Sequence, residues 1–548
     1  MPDELLAFPI DIKRTLKYLR QDMKDDWFFD TVHYEDLLTN QQNLLEILQA
    51  NLTENDGEYR EGLKAVHDVP KSSLGLRYTL ETDFYDRFIY QAICTYLIPF
   101  FDPLLSNRVL SHRYNKNGTG RDKQLFKHRI ELWNTFENIT HVSILDGKTL
   151  LVTDLLNYFE HITIDAVEQS FINMLSFVQT SGSEKHIIRS AISTLIVLLK
   201  KWCFNADHGL PQNRDASSFI ANIVLNTVDR NMIENGYDYF RYVDDIRIVC
   251  EDEFEAKRAL NALIMELRNF GLNINSKKTD ILNCKSDNLI DFFPSLDDRI
   301  AVIDSMWRSR SKKVITRSIP VLHNFLLEQV DEGKTQGRPF RFCINRFKTL
   351  ISSNLFDAKS VLAQDIAETI INEFSIQPVS TDQFCKLLMD LDLLEKHQQM
   401  IGDYIANPAI SIYGWQNYQL ILLLAYKKYE YQPLIDHCIS LIENDISRAE
   451  IPACFIYLAS IDRVDSVLNF INKFESNWPY QHQRFFLIAL QDVPPKQLKP
   501  LFGKVAYRLK GTVKRLKENR LFKHDTIFLR NFYKSSISNI YDEISPYE

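Results

Sequence analysis

The stretch YDYFRYVDDIRIVC (Tyr237 to Cys250) reads as strand, aromatic and β-branched with partial alternation, yet two adjacent acids, Asp244 and Asp245, stand in its middle. Tyr239, Phe240 and Tyr242 precede them, and Ile246, Ile248 and Val249 follow. A continuous buried strand would carry both carboxylates into apolar surroundings, where neither stays ionised without a partner. The segment is therefore expected to turn back on itself as a hairpin with Asp244 and Asp245 at its exposed tip. Taken alone, such a pair reads first as a solvated turn, because acids are common turn residues. Carboxylates at a hairpin tip can also hold divalent cations through hard oxygen ligands.

A second strand-like run, KTLLVTDLL (Lys148 to Leu156), also presents an aspartate, Asp154. If the two segments are neighbours in one sheet, three carboxylates meet. Three acids can hold two Mg²⁺ ions, the arrangement suited to in-line displacement at phosphorus. After the hairpin, Leu260, Leu263, Ile264 and Leu267 recur at helical spacing, with acids before them and Gly271 after, which predicts an amphipathic helix packed on the sheet.

The 548 residues allow two or three domains. Glycine is scarce (16) while Phe (35) and Tyr (24) are abundant, a composition that favours helix. Beyond about residue 300 the strand signal fades, and runs such as DAKSVLAQDIAETIINEF (Asp357 to Phe374) predict an all-helical half. The eight cysteines show neither Cys-x-x-Cys pairs nor zinc spacing, so they read as reduced packing residues. The start lacks the order of a signal peptide and the apolar runs are too short to span a bilayer, so a soluble cytoplasmic protein with no membrane contact is expected. A net charge of −8 argues against bulk attraction to nucleic acid and leaves that task to local patches. Two are present: WRSRSKKVITR (Trp307 to Arg317) and the stretch from Lys499 to His524, where Tyr507 and Phe522 are available for stacking. Each reads equally as a solvated face.

Four segments in order resemble the reverse transcriptase palm: LVTDLLNYFEHI, GLPQNRDASSFIANIVL, FRYVDDIRIVC and GLNINSKKTDIL. Upstream, the segment from Leu76 to Asn115 resembles bacterial reverse transcriptase fingers. The resemblance implies an α+β reverse transcriptase palm and fingers (right-hand polymerase fold), followed by an all-α, HEAT-like degenerate helical repeat domain. It divides the chain into an N-terminal helical extension (1–60), fingers and palm (61–295) and a C-terminal helical domain (296–548). It implies that Asp154, Asp244 and Asp245 hold the metals, Mg²⁺ with Mn²⁺ as an alternative. Lys278 matches the position proposed to protonate pyrophosphate, and Arg113 the fingers contact to the triphosphate. Phe159 falls where a bulky ring excludes a ribose 2′-hydroxyl, and Leu155 and Gln212 join it as substrate-binding residues. By themselves, Phe159 would read as core, Arg113 as a surface salt-bridging residue and Lys278 as solvent-facing.

The chain departs from its relatives after Pro211-Gln212, where Asn213-Arg214-Asp215 replaces Gly-Ser-Pro, and no familiar primer grip follows the lysine motif. With the long helical half, this resembles the defence-associated, abortive-infection type of bacterial reverse transcriptase. The likeness implies a homo-oligomer making single-stranded DNA from dNTPs in antiviral defence, protein-primed and template-independent. The alternatives are a conventional RNA-templated reverse transcriptase with a nucleic-acid primer, and a catalytically silent RNA-binding or assembly module.

Overall fold

The computed structural model describes residues 6–72, 74–116, 124–205, 207–293 and 297–518. They are mostly helical with little sheet, and they pack as two compact units. The first comprises the described residues within 1–26, 44–66 and 79–293; the second comprises those within 27–43, 67–78 and 294–548. The expected extension over residues 1–60 is thus shared between the two. Six strands are described: β1 (Ala65–Pro70), β2 (Leu76–Glu81), β3 (Thr149–Asp154), β4 (Asp238–Tyr242), β5 (Asp245–Cys250) and β6 (Asp280–Leu282). β1 and β2 pair by themselves, while the other four form an antiparallel sheet in the order β4-β5-β3-β6.

The helices of the first unit that matter for the sheet are α1 (Ile12–Asp22), α2 (Phe84–Phe101), α3 (Arg129–Leu145), α4 (Tyr158–His161), α5 (Asp215–Glu234) and α6 (Glu253–Arg268). Every residue of β3 is buried, as a strand covered on both faces must be. One face carries Leu150, Val152, Phe240 and Val249, which pack with Phe136 and Ile144 of α3. Arg247 is buried on this face; it donates to Thr140 Oγ1 (2.7 Å) and lies 4.7 Å from the Phe136 ring and 4.9 Å from the Phe293 ring, so its charge is held by a hydroxyl and aromatic faces. By alternation Leu151 and Ile248 point to the other side, where α6 packs on β3 and β5, and α5 packs on β4. The helix α6 starts where its cap requires: Asp252 accepts from Glu255 N (2.7 Å), with Glu253 and Glu255 in the first turn and Arg268 in the last. Its buried side chains are Ala256, Ala259, Leu263 and Leu267. Leu260 and Ile264, expected on the inner face, are only half-buried, because the two alanines turn that face toward the sheet and permit a closer approach.

In the second unit the helices stack two apart in sequence. Ile319–Asp331, Val361–Asn372, Glu395–Ala406 and Gln432–Asn444 pack successively in one row. Arg338–Ser352, Thr381–Leu388, Gly414–Lys427, Ile451–Ser460 and Tyr480–Ala489 pack successively in the other. Ile451–Ser460 and Tyr480–Ala489 are buried on all sides, which explains their near absence of charge. The exception is Arg484, fully buried and paired with Asp30 (2.5 Å) and Asp36 (2.7 Å), two acids from the segment 27–43. Among the described residues no helix is long and apolar enough to cross a membrane.

Candidate active site

The hairpin forms as its sequence predicts, but its two-residue tip is Val243-Asp244 rather than Asp244-Asp245, Asp245 opens β5, and both acids are half-buried rather than exposed. Tyr242 pairs with Asp245, which leaves Val243 and Asp244 as a two-residue loop. Val243 has φ +55°, in the left-handed region that a β-branched side chain seldom adopts. Two hydrogen bonds hold it there: its N–H donates to Ser111 Oγ (2.9 Å), and its carbonyl accepts from Arg241 Nη1 (2.8 Å). Arg241 is fully buried and donates to Asp229 through Nε (2.8 Å) and Nη2 (2.6 Å), and to Asn222 Oδ1 (2.9 Å). Burial would lower its pKa, but Asp229 more than offsets this and the value is raised, so the cation is secure. Asn222 in turn donates to the carbonyl of Ser111 (2.9 Å). Ser111, Asn222, Asp229 and Arg241 thus close a circuit around the back of the turn, a role that sequence reasoning assigns to none of them. The one visible signal was Arg241 itself, a charge within an apolar strand.

Register brings two of the aspartates together and leaves the third in the turn beside them. Asp154, at the end of β3, lies directly across from Asp245 on β5, so both side chains share one face, and Asp244 follows Val243 in the adjoining turn. Like charges placed opposite each other repel. Burial first, then the charges of Asp245 and Asp154, hold the Asp244 carboxyl well above the usual carboxylate range. Asp154 is buried, and its two oxygens differ: Oδ2 accepts from Lys278 Nζ, whereas Oδ1 is buried without a hydrogen bond. Burial alone would lower the Lys278 pKa, yet the bond to Asp154 and the nearby acids raise it. Among the described residues no three His, Cys, Asp or Glu groups already converge as a metal cage. What exists is an all-oxygen donor set with an unpartnered buried oxygen and an excess of negative charge, a chemistry that fits a hard divalent cation such as Mg²⁺ or Mn²⁺.

The remaining expected residues fall in two places. Leu155 is buried and bridges to Ile274. Asn157, at φ +48°, turns the chain sharply from β3 into α4, which carries Phe159 half-buried with its ring 5.3 Å from that of Tyr158. Its carbonyl accepts from Leu210 N (2.9 Å), and Gln212 Nε2 donates to the neighbouring Glu160 (3.3 Å), so Phe159 and Gln212 belong to one wall. Arg113 is committed elsewhere. Its guanidinium donates to Asp102 Oδ1 (3.0 Å) and to the carbonyls of Ser106 (2.7 Å), Val109 (2.9 Å), Asp102 (3.2 Å) and Leu105 (3.4 Å). In this arrangement it closes the 102–109 turn, and a triphosphate contact would require it to release those acceptors.

The departure after Gln212 has a structural explanation. Asn213, at φ +56°, donates to the carbonyl of Asp25 (2.8 Å), Arg214 pairs with Asp26 (3.1 Å) and Glu81 (3.5 Å), and Asp215 N donates to Asp22 (2.8 Å). Arg87 bridges Asp22 (3.1 Å) and Asp26 (2.5 Å). The loop is therefore tied to the end of α1 by buried ion pairs. Of the basic stretches, Arg308, Lys312, Lys313 and Arg317 are exposed. In the second, Arg508 is buried and Lys510 lies over the Tyr507 ring (5.0 Å), while Arg520, Phe522 and Lys523 lie outside the described residues.

Residues 116–340 match the family model described as reverse transcriptase (RNA-dependent DNA polymerase). The match takes in Asp154, Phe159, Gln212, Asp244, Asp245 and Lys278 and begins just after Arg113. No curated protein matches the sequence. Among solved structures, the chain is similar to apo telomerase from Candida tropicalis truncated from its C-terminal domain, at 14% identity and a TM-score of 0.30, over 44% of this chain and 55% of that one. Another structure of apo telomerase from Candida tropicalis matches at 11% identity and a TM-score of 0.31, over 79% of this chain and 71% of that one. The chain therefore spans little more than half the length of the first of these.

Proposed function

Because a reverse transcriptase domain is present in this chain, which indicates RNA-directed DNA polymerase activity, we propose that the protein joins dNTPs into DNA at Asp154, Asp244 and Asp245. The observation that carries this reading is the register that sets Asp154 opposite Asp245, with Asp244 in the turn beside them. Those three carboxylates would hold Mg²⁺, or Mn²⁺ in its place. When bound, the metal pair neutralises charge on the attacking and leaving oxygens of an in-line displacement at the α-phosphorus. The chain's own residues do the rest. The circuit behind Val243 fixes where the Asp244 carboxylate points. Phe159 lies against the sugar and leaves no room for a 2′-hydroxyl, while Leu155 and Gln212 shape the same wall. Lys278 carries a proton at Nζ that can pass to the departing pyrophosphate. Asp244→Asn keeps the shape of the side chain but removes its charge, so it should lower incorporation by about 100-fold or more with the melting temperature preserved. Incorporation at the wild-type rate would refute the assignment.

The reading extends to antiviral defence, with protein-primed and template-independent synthesis by a cytoplasmic homo-oligomer. Two features support it: a loop after Gln212 that is tied to α1 instead of following the usual sequence, and a helical half stacked in two rows, as a degenerate HEAT-like repeat would be. Purified protein given single dNTPs without nucleic acid should yield DNA covalently attached to the polypeptide, detectable by mass. Product formed only after adding an RNA template and a primer would favour the conventional enzyme. Loss of phage resistance in cells carrying Asp244→Asn tests the biological role.

A further inference from the structure

We propose that Lys278 is a built-in counter-cation, which holds Asp154 until a divalent metal takes that carboxylate, and therefore competes with the metal for the site. This rests on the metal-binding reading above and adds a role for the lysine in the protein before any substrate arrives. Three observations support it. The ammonium of Lys278 pairs with one oxygen of Asp154 while the other oxygen is buried and accepts nothing, so the carboxylate is only half satisfied. A monovalent group placed beside three acids, with Asp245 directly across from Asp154 and Asp244 in the adjoining turn, leaves the cluster short of positive charge. A doubly charged cation meets the deficit better than an ammonium does.

The third observation is how the lysine is mounted. Asn275 N donates to the carbonyl of Asp154 (2.6 Å), and Lys278 N donates to the carbonyl of Asn275 (2.9 Å). Thr279 Oγ1 donates to that same Asn275 carbonyl (2.9 Å) and lies 2.7 Å from Thr153 Oγ1. The segment around Lys278 is thereby pinned to the end of β3, at Thr153 and Asp154. Its side chain, in contrast, is 63% exposed, so the ammonium can leave by rotation about its own bonds with no movement of the chain. The pinned backbone also keeps it close enough to return.

The test is titration of Mn²⁺ alone, without nucleotide, by calorimetry. A half-exposed ion pair of this kind is worth little, so Lys278→Met and Lys278→Gln should each tighten Mn²⁺ binding by about three- to fivefold, and Lys278→Arg, which keeps the charge, should stay near the wild-type affinity. Asp154→Asn should abolish the difference between the lysine variants. Equal or weaker affinity in both neutral variants overturns the proposal. Should a neutral variant melt too early to titrate, the rise of its melting temperature with Mn²⁺ replaces the affinity: a larger rise than in wild type is expected, and an equal or smaller one refutes it. Because no incorporation is measured, the two readings fail separately. Wild-type protein that binds no Mn²⁺ at all ends both, whereas wild-type binding with unchanged variants ends only the competition.

Discussion

Val243 occupies a backbone region that costs a β-branched residue about 1–3 kcal/mol, and Ser111 and Arg241 are what keep it there. Ser111→Ala leaves the Val243 N–H without an acceptor, so it should destabilise the fold by about 1–3 kcal/mol in denaturant melts and lower incorporation as the Asp244 carboxylate loses its aim. A variant with unchanged stability and activity would show that the turn holds itself. Phe159 is half-buried, so Phe159→Ala should leave the melting temperature within a few degrees while raising ribonucleotide incorporation relative to dNTPs; no change in that ratio would remove its role beside the sugar. At this scale the sequence revealed what was anomalous. Asp244 and Asp245 were legible because acids in an apolar strand demand a reason, and Asp154 because it ends another such strand. Arg241 was equally anomalous, but Ser111, Asn222 and Asp229 lie on other elements, and only the folded register brings them to it. Arg113 shows the converse: a guanidinium suits a phosphate, yet the carbonyls that it already serves cannot be read from a string of residues.

Among the elements, both strands of the hairpin and β3 follow the apolar runs closely, and the start of α6 follows its cap. The buried face of α6 did so only in part: Leu263 and Leu267 are inside as the spacing predicts, but where it predicts Leu260 and Ile264 the sheet admits alanine. The loop from Asn213 to Asp215 was legible only as a departure from its relatives; its partners Asp22 and Asp26 are remote in sequence. That junction responds to pH. Burial first, then the charge of Asp215, push the Asp22 carboxyl up to about 6 from an ordinary 3.8, with Arg87 and Arg214 acting in the opposite direction. The folded chain therefore binds the extra proton between these two values. Stability from this group is greatest at the acid end, falls as pH rises through the window, and is fully lost above about pH 6. Asp22→Asn cannot ionise, so the fall in melting temperature between about pH 4.5 and pH 7 should be smaller in the variant than in wild type. An unchanged pH dependence would mean that the proton resides elsewhere.

Over the whole molecule, composition predicted a helical protein, and the described part of the C-terminal half is helical, but no periodicity in the sequence showed that the chain leaves one compact unit and enters the other more than once. Arg484 depends on that path, since Asp30 and Asp36 reach it from the far end of the polypeptide. Dissection at the obvious border is therefore the wrong way to obtain the helical half. A fragment beginning at residue 294 would enclose a guanidinium with neither counter-ion, a penalty of about 3–5 kcal/mol, and should lack a cooperative melt by circular dichroism. Supplying a synthetic peptide of residues 27–43 should restore it, so a usable expression fragment would have to be stitched together from both ends of the gene.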